Sequence, residues 1–357
     1  MSGGAGSPPP TSRPGTVTVV VTVLKDPRVA RTLESLLGQV RRPDEVIVDD
    51  GGVTDTVERI TREFSQRDPR VRYLFAPGNI PESRNTALAA ATGEFVAFLD
   101  ADEVAPPGWL AHLLAPFEDP RVGFVGGPTP AMPESLRTLG ARYYDGYLRR
   151  FYDTVARVRP HALPMGNSAW RAEVFRRVGL LDTTLFRGAA SEDQEVALRA
   201  LASGWKGVYA PEAWVSHDFS DISVLRLLRK QRIYAEGGYV VWRRKGSTYE
   251  ATPGRTLPYV ALPAAIVLGL VLAIPPLTRT VGLWLAGLGA LGLGLLALGL
   301  TVAGVRADRQ YPGLRYQALD IPRRWATLYG ALRGWWHFGW SGRRGAPPPP
   351  TNGSGKP

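Results

Sequence analysis

Two carboxylates flank one small residue in Asp100-Ala101-Asp102, and no other pattern in the chain points so directly to chemistry. In an extended turn both side chains can face one divalent cation, and hard cations of this kind take oxygen ligands. Mg²⁺ or Mn²⁺ is the expected ion. A cation bridging a diphosphate neutralises charge building on a departing nucleotide, the main electrostatic demand of group transfer from such a donor. Arg84, on the helical segment before this strand, would add positive charge at the same place.

A second acidic string, Ser191-Glu192-Asp193-Gln194-Glu195, precedes the helical stretch Val196 to Leu201. Acidic residues favour helix starts through the dipole and the free N–H groups, so a helix cap is one reading. The other is catalytic: one carboxylate takes the proton from an attacking acceptor hydroxyl. His217 follows Pro211-Glu212-Ala213-Trp214-Val215-Ser216, and a lone histidine is more often structural than a ligand. Only its setting beside the other motifs raises it.

These residues need a frame, and the first half of the chain supplies one by alternating strand and helix patterns. Val17 to Leu24 is an unbroken β-branched run, and Arg28 to Gln39 carries Val29, Leu33, Leu36 and Leu37 at helical spacing. Strands are expected at Glu45 to Val48, Val71 to Phe75, Phe95 to Leu99 and Trp205 to Tyr209, with helices at Thr54 to Phe64 and Pro81 to Ala91. Asp49-Asp50-Gly51-Gly52 and Asp100-Ala101-Asp102 therefore fall just beyond strand ends, where open parallel sheets place ligands. Alone, either string would read as a turn or a cap.

Composition narrows the partners. With no cysteine among 357 residues, a disulfide framework, a thiolate metal site and a cysteine nucleophile are excluded. The net charge of +11, from 43 Lys and Arg against 32 Asp and Glu, suits anionic partners. Arg226, Arg229, Lys230, Arg232, Arg243, Arg244 and Lys245 precede an apolar region, and Arg306, Arg309, Arg315, Arg323, Arg324 and Arg333 follow it. That placement favours a membrane surface over nucleic acid. Within the apolar region, Tyr259 to Leu277 and Val281 to Val305 are each long enough to span a bilayer, which takes about 20 residues. They are expected to form a transmembrane hairpin. Its turn carries Arg279 alone among basic residues, so the positive-inside rule puts both flanks and the large N-terminal domain in the cytoplasm, as a multi-pass protein of the cytoplasmic membrane.

Residues 1–15 and 345–357, rich in Gly, Ser and Pro, read as disordered tails. A catalytic domain is expected over 16–245, the hairpin over 246–305 and a basic aromatic segment over 306–344. Within that segment Ile321 to Trp340 combines Trp325, Tyr329, Trp335, Trp336, Phe338 and Trp340 with arginines, a composition suited to the headgroup layer. Packing as a short helix on the catalytic domain is the alternative.

The chain resembles a family 2 glycosyltransferase of GT-A fold. The matching strings are Thr32-Leu33-Glu34-Ser35-Leu36-Leu37-Gly38-Gln39, Asp44-Glu45-Val46-Ile47-Val48-Asp49-Asp50-Gly51, Ser83-Arg84-Asn85, Phe98-Leu99-Asp100-Ala101-Asp102, Gly166-Asn167, and Glu192-Asp193 through Leu198-Arg199 to Pro211-Glu212-Ala213 and His217. The resemblance implies an α/β fold with a mainly parallel sheet flanked by helices, here followed by the C-terminal hairpin. It implies that Asp50 contacts the nucleotide base of a UDP- or GDP-sugar, that Asp100 and Asp102 hold the diphosphate-bound Mg²⁺ or Mn²⁺ with Asp102 the closer ligand, and that Arg84 joins the donor site. It further implies Asp193 as the general base of an inverting transfer. Gly166, Asn167 and Glu192 would lie near the sugar or acceptor, and His217 near the diphosphate or metal.

Two departures from the family pattern matter. The opening strand reads Val21-Thr22-Val23-Leu24-Lys25-Asp26 where the family often has Pro, a small residue and Asn. Gln231-Arg232-Ile233-Tyr234 stands in place of the Gln-x-x-Arg-Trp string of processive synthases, which favours single addition. The overall pattern is similar to bacterial enzymes that build lipid-linked exopolysaccharide units, with a lipid-linked or glycan acceptor. The competing readings are a polyprenyl-phosphate sugar transferase and a membrane protein that binds a nucleotide sugar without turnover.

Overall fold

The β-branched run at the start of the chain becomes a central strand because both of its faces are covered. In the computed structural model, which describes residues 9, 12–52, 55–186, 191–245 and 253–340, that strand is β1 (Arg13–Val23). Val19 and Val21 point to one side of the sheet and Val20 to the other, and all three are fully buried. Each such side chain contributes about 1.5–3 kcal/mol relative to an exposed one. Of the expected tails, 345–357 and most of 1–15 lie outside the described residues. Arg13 to Gly15 do not belong to a tail, because they extend β1, with the Arg13 N–H donating to the Thr92 carbonyl.

The remaining strands are β2 (Glu45–Asp50), β3 (Val71–Phe75), β4 (Gly93–Asp100), β5 (Glu103–Val104), β6 (Val122–Gly126), β7 (Asn167–Arg171), β8 (Lys206–Tyr209) and β9 (Ser216–His217). A seven-stranded sheet runs in the order β3-β2-β1-β4-β7-β6-β8, in which β7 is antiparallel to both neighbours and the other pairings are parallel. Strands β5 and β9 pair separately. The expected mainly parallel sheet is present; β6 and the reversed β7 carry no pattern that the sequence reading used.

On one face lie α1 (Val29–Leu37), α2 (Asp55–Arg67) and α4 (Trp109–Leu114), which bury Leu33, Ile60 and Leu110. On the other lie α3 (Ile80–Ala90), α6 (Ala172–Val178) and α7 (Glu192–Ala202), with Leu88, Phe175 and Val196 in the core. Asn79 starts α3 with a capping box: its side chain accepts from the Glu82 N–H, and the Glu82 carboxylate accepts from the Asn79 N–H. Such a reciprocal cap fixes where a helix begins, and here it fixes Ser83, Arg84 and Asn85 at the strand ends.

The C-terminal half is helical: α5 (Leu139–Phe151), α8 (Val224–Lys245), α9 (Pro253–Leu272), α10 (Arg279–Ala307) and α11 (Asp320–Gly334). By length and composition α10 alone, among the described residues, is long and apolar enough to cross a membrane. The first expected span ends early, at Leu272, before Pro275-Pro276, and its apolar part Leu257–Leu272 extends only about 24 Å at 1.5 Å per residue. A bilayer core is about 30 Å thick. The two helices nevertheless pack side by side.

Helix α11 lies along α8 with its small residues inward. A side chain at Gly330 would meet the Arg232 carbonyl and stand 2.9 Å from Ala235 Cβ, so the close approach requires glycine there. Buried Arg323 donates to Gln231 at 3.1 Å, and the Tyr143 hydroxyl donates to Asp320. The opposite face keeps Trp325, Tyr329 and Leu332 exposed. The helix thus packs on α8 and presents an aromatic face outward.

Candidate active site

Three consecutive residues of α3 perform three tasks. The Ser83 hydroxyl donates to Asp49 Oδ1 at 2.5 Å, and Asn85 ties down Leu181 by exchanging hydrogen bonds with its main chain at 2.9 and 3.0 Å. Between them Arg84, only 5% exposed, donates to Asp100 Oδ1 at 3.0 Å and to Glu192 Oε1 at 3.3 Å. A buried guanidinium is tolerated only when it is paired in this way. Arg84 therefore joins the Asp-x-Asp turn to the second acidic string, 108 residues away.

At the end of β2, Asp50 is fully buried, accepting from the Gly52 N–H at 2.8 Å and from the Tyr73 hydroxyl at 3.1 Å. Its neighbour Asp49 keeps Oδ2 without a hydrogen-bond partner among the described residues, and burial pushes its pKa up to about 7. An unfolded aspartate titrates near 3.9. Between these values the folded protein holds a proton that the unfolded chain releases, so stability falls as pH rises through the window. Asp49→Asn is expected to raise the melting temperature at pH 8 by roughly 2–4 °C for each kcal/mol recovered, with the gain closing toward pH 4. Parallel melting curves at all pH values would remove the role given to Asp49.

The Asp-x-Asp turn is held from two sides. The Thr32 hydroxyl of α1 reaches the carbonyls of Ala101 and Glu103 at 2.8 and 2.7 Å. The β5–β9 pair sets Glu103 opposite His217, and the Asp218 N–H donates to the Asp102 carbonyl at 3.0 Å. His217 is thereby brought 3.3 Å from Asp102 through Nε2 and 3.2 Å from Glu103 through Nδ1. Although burial works against its charge, Asp102 and Glu103 push the His217 pKa up to about 10. Burial also opposes the charge of Asp102, yet His217 and Arg28 hold its pKa below the usual range. Arg28 Nη2 lies 3.4 Å from Asp102 Oδ2.

Among the described residues no three Asp, Glu or His side chains form a ready-made metal cage. What converges is the Asp102–His217 pair, with Asp100 on the same turn. The two carboxylates suit a hard divalent cation whose remaining ligands come from a diphosphate, the usual arrangement for Mg²⁺; His217, protonated at neutral pH, would join them only after losing its proton.

A cavity of about 520 Å³ opens beside this turn, lined at its polar end by Arg84, Asp100, Gly166, Glu192, Asp193 and His217. Gly166 is required, since a Cβ there would lie 2.6 Å from Asp100 Cγ. Asp193, in the first turn of α7, accepts from the Gln194 N–H at 2.7 Å, and burial raises its pKa. Ser191, just before α7, holds the left-handed conformation at φ 71°, strain of the kind that gathers at functional sites.

Asn167 stands apart from the cavity. Its amide accepts from Trp109 Nε1 at 2.8 Å and donates to the carbonyls of Pro128 and Ala213 at 3.0 and 2.8 Å, so it ties three segments together inside the core. Three residues enter the site unannounced by any motif: Arg28, Glu103 and Lys230. Glu103 directly follows the Asp-x-Asp string, and Lys230 directly precedes Gln231; adjacency was the only available signal.

Residues 18–176 match the model of glycosyl transferase family 2. The chain is 33% identical over 209 residues to the pre-mycofactocin glycosyltransferase of Mycobacterium tuberculosis, covering 57% of this chain and 42% of that protein. It is 27% identical over 215 residues to the succinoglycan biosynthesis protein ExoM of Rhizobium meliloti, covering 56% and 65%. It thus spans less than half the length of the mycobacterial relative. The mannosyltransferase PcManGT from Pyrobaculum calidifontis, solved in complex with GDP-Man and Mn²⁺, superposes with a TM-score of 0.59 at 21% identity over 92% of this chain and 89% of its own, a likeness of fold.

Proposed function

From the match of residues 18–176 to the glycosyl transferase family 2 model, we propose that the protein transfers one sugar per turnover, with inversion, from a nucleotide-sugar donor to a lipid-linked acceptor at the cytoplasmic membrane face. The observation that carries this reading is the meeting of Asp100, His217, Arg84 and Asp193 around one cavity. Asp102 and Asp100 would hold a divalent cation, Mg²⁺ or Mn²⁺, with His217 joining them only once deprotonated, and the solved mannosyltransferase of the same fold was captured with Mn²⁺. When bound, that ion supplies positive charge to the diphosphate of the leaving nucleotide.

The chain's own residues account for the rest. Arg84 keeps Asp100 and Glu192 in place. With Glu192 engaged by that guanidinium, Asp193 is the carboxylate left to accept the proton of an attacking hydroxyl, and its raised pKa strengthens it as a base. One base opposite the leaving group, without a covalent intermediate, inverts the anomeric centre. Asp50, at the end of β2, is placed for the nucleotide base, a UDP- or GDP-sugar being the expected donor. The apolar helix α10, with α9 beside it and arginines on both flanks, supports anchoring.

A phosphate acceptor is the second reading, favoured by Lys230 in the cavity wall. Phosphate oxygen attacks with little help from a base.

Membranes containing the protein, offered a panel of radiolabelled UDP- and GDP-sugars with Mn²⁺ or Mg²⁺, are expected to pass label from one donor into solvent-extractable lipid. Label appearing only in water-soluble glycan would overturn the lipid acceptor. No transfer or sugar release from any donor would overturn the enzymatic reading.

A further inference from the structure

Beyond its acidic end the cavity changes character. Its far wall is built from Tyr147, Leu148 and Phe151 of α5, Tyr239 and Trp242 of α8, and Ala331 of α11. Along α8 the lining residues Lys230, Tyr234, Gly238 and Trp242 recur every four positions, which places them on one helix face running about 18 Å. Helix α11 in turn touches α9, and the turn at Leu314–Leu319 joins α5 to α10. The apolar arm therefore runs from the catalytic carboxylates toward the apolar helices.

Lys230 stands at the junction of the two ends. Its ammonium lies 5.6 Å from the centre of the Tyr144 ring, and Asp102 and Asp100 act on it only from beyond ion-pair distance. The other cations near the turn are occupied: Arg84 by Asp100 and Glu192, Arg28 by Asp26 and Asp102. A nucleotide can stack only its base on an aromatic ring and has no hydrocarbon to fill an arm of this length. An amphiphile has both parts.

We propose that this arm takes the hydrocarbon of a phosphate-bearing lipid acceptor, for which farnesyl phosphate is a short probe, and that Lys230 binds its phosphate. The assignment rests on the proposed lipid acceptor and gives it a site. An anion at Lys230 gains a charge-assisted hydrogen bond from the ammonium, while the hydrocarbon covers the rings of α5 and α8.

Direct binding separates this idea from the transfer reaction. Calorimetry on the full chain in detergent micelles, with farnesyl phosphate, farnesol and inorganic phosphate as probes, needs neither donor nor turnover. Farnesyl phosphate is expected to bind at least about 10-fold tighter than farnesol and than inorganic phosphate, the worth of one hydrogen bond to a charged group or of a few buried methylenes. Lys230→Met should remove the advantage over farnesol, Lys230→Arg should restore most of it, and Trp242→Ser should weaken farnesyl phosphate several-fold without touching inorganic phosphate. Thermal melts of the variants report whether they fold. Equal binding of farnesol and farnesyl phosphate, or unchanged affinity in folded Lys230→Met, overturns the phosphate role. Farnesyl phosphate binding no better than inorganic phosphate overturns the hydrocarbon arm. If farnesyl phosphate binds as expected while no nucleotide sugar is turned over, the lipid site stands and the enzymatic reading falls.

Discussion

Asp102→Ala is expected to abolish sugar transfer, lowering turnover by about 10³-fold, the scale reported for loss of one preorganised charge-stabilising group. Excess chelator should do the same to the unaltered protein, because a cation held by two carboxylates and a diphosphate remains removable. Asp102 has a second duty, since its carboxylate compensates both Arg28 and His217. Alanine leaves these two positive groups facing each other, which destabilises as well as inactivates. Asp102→Asn retains the shape and an acceptor oxygen, so its melting temperature should stay closer to that of the parent while turnover is still lost. Measuring turnover against added Mn²⁺ for the parent and both variants, beside thermal melts, separates the two duties. Full activity in excess chelator would sink the metal role.

The second large effect belongs to Asp193. Asp193→Asn is expected to fold and to bind donor, yet to transfer sugar about 10²–10⁴-fold more slowly, the usual worth of a positioned general base. Its carboxylate accepts from the Gln194 N–H, and an asparagine oxygen can do the same, so the start of α7 should survive. The pH profile adds an independent readout. Burial raises the Asp193 pKa, so the rising limb of kcat/KM should lie above the ordinary carboxylate range in the parent, and it should be absent from the variant. A near-normal rate would return Asp193 to the role of a helix-start residue, or would mean that the acceptor is a phosphate.

Much of the half that holds β1 to β4 was legible in the amino-acid order. The run Val17 to Leu24 reads as a strand covered on both faces because its β-branched residues are continuous, and Val19, Val20 and Val21 are buried on alternate sides. The acidic strings fall where strands end, and in the structure Asp50 and Asp100 are the last residues of β2 and β4. Such signals are local: side-chain periodicity, strand length and a cap such as Asn79 with Glu82 are all set within a dozen residues.

Partner choice over longer distances was decided by the tertiary structure. Nothing near His217 announces that β9 pairs with β5 and carries the imidazole to Asp102, 115 residues earlier. Gly166-Asn167 reads as one motif, yet the glycine faces Asp100 while the asparagine amide turns into the core toward Trp109. The first apolar segment was expected to span a membrane from Tyr259 to Leu277, whereas its helix runs from Pro253 to Leu272. Helix α11 has the composition of a membrane-surface helix and also packs its glycines on α8, because one helix can satisfy two surfaces with opposite faces. Residue types and spacing determine which elements form and which face is apolar; which elements meet is settled only when all the buried charges and apolar faces must be satisfied together, as Arg84 shows by requiring both Asp100 and Glu192.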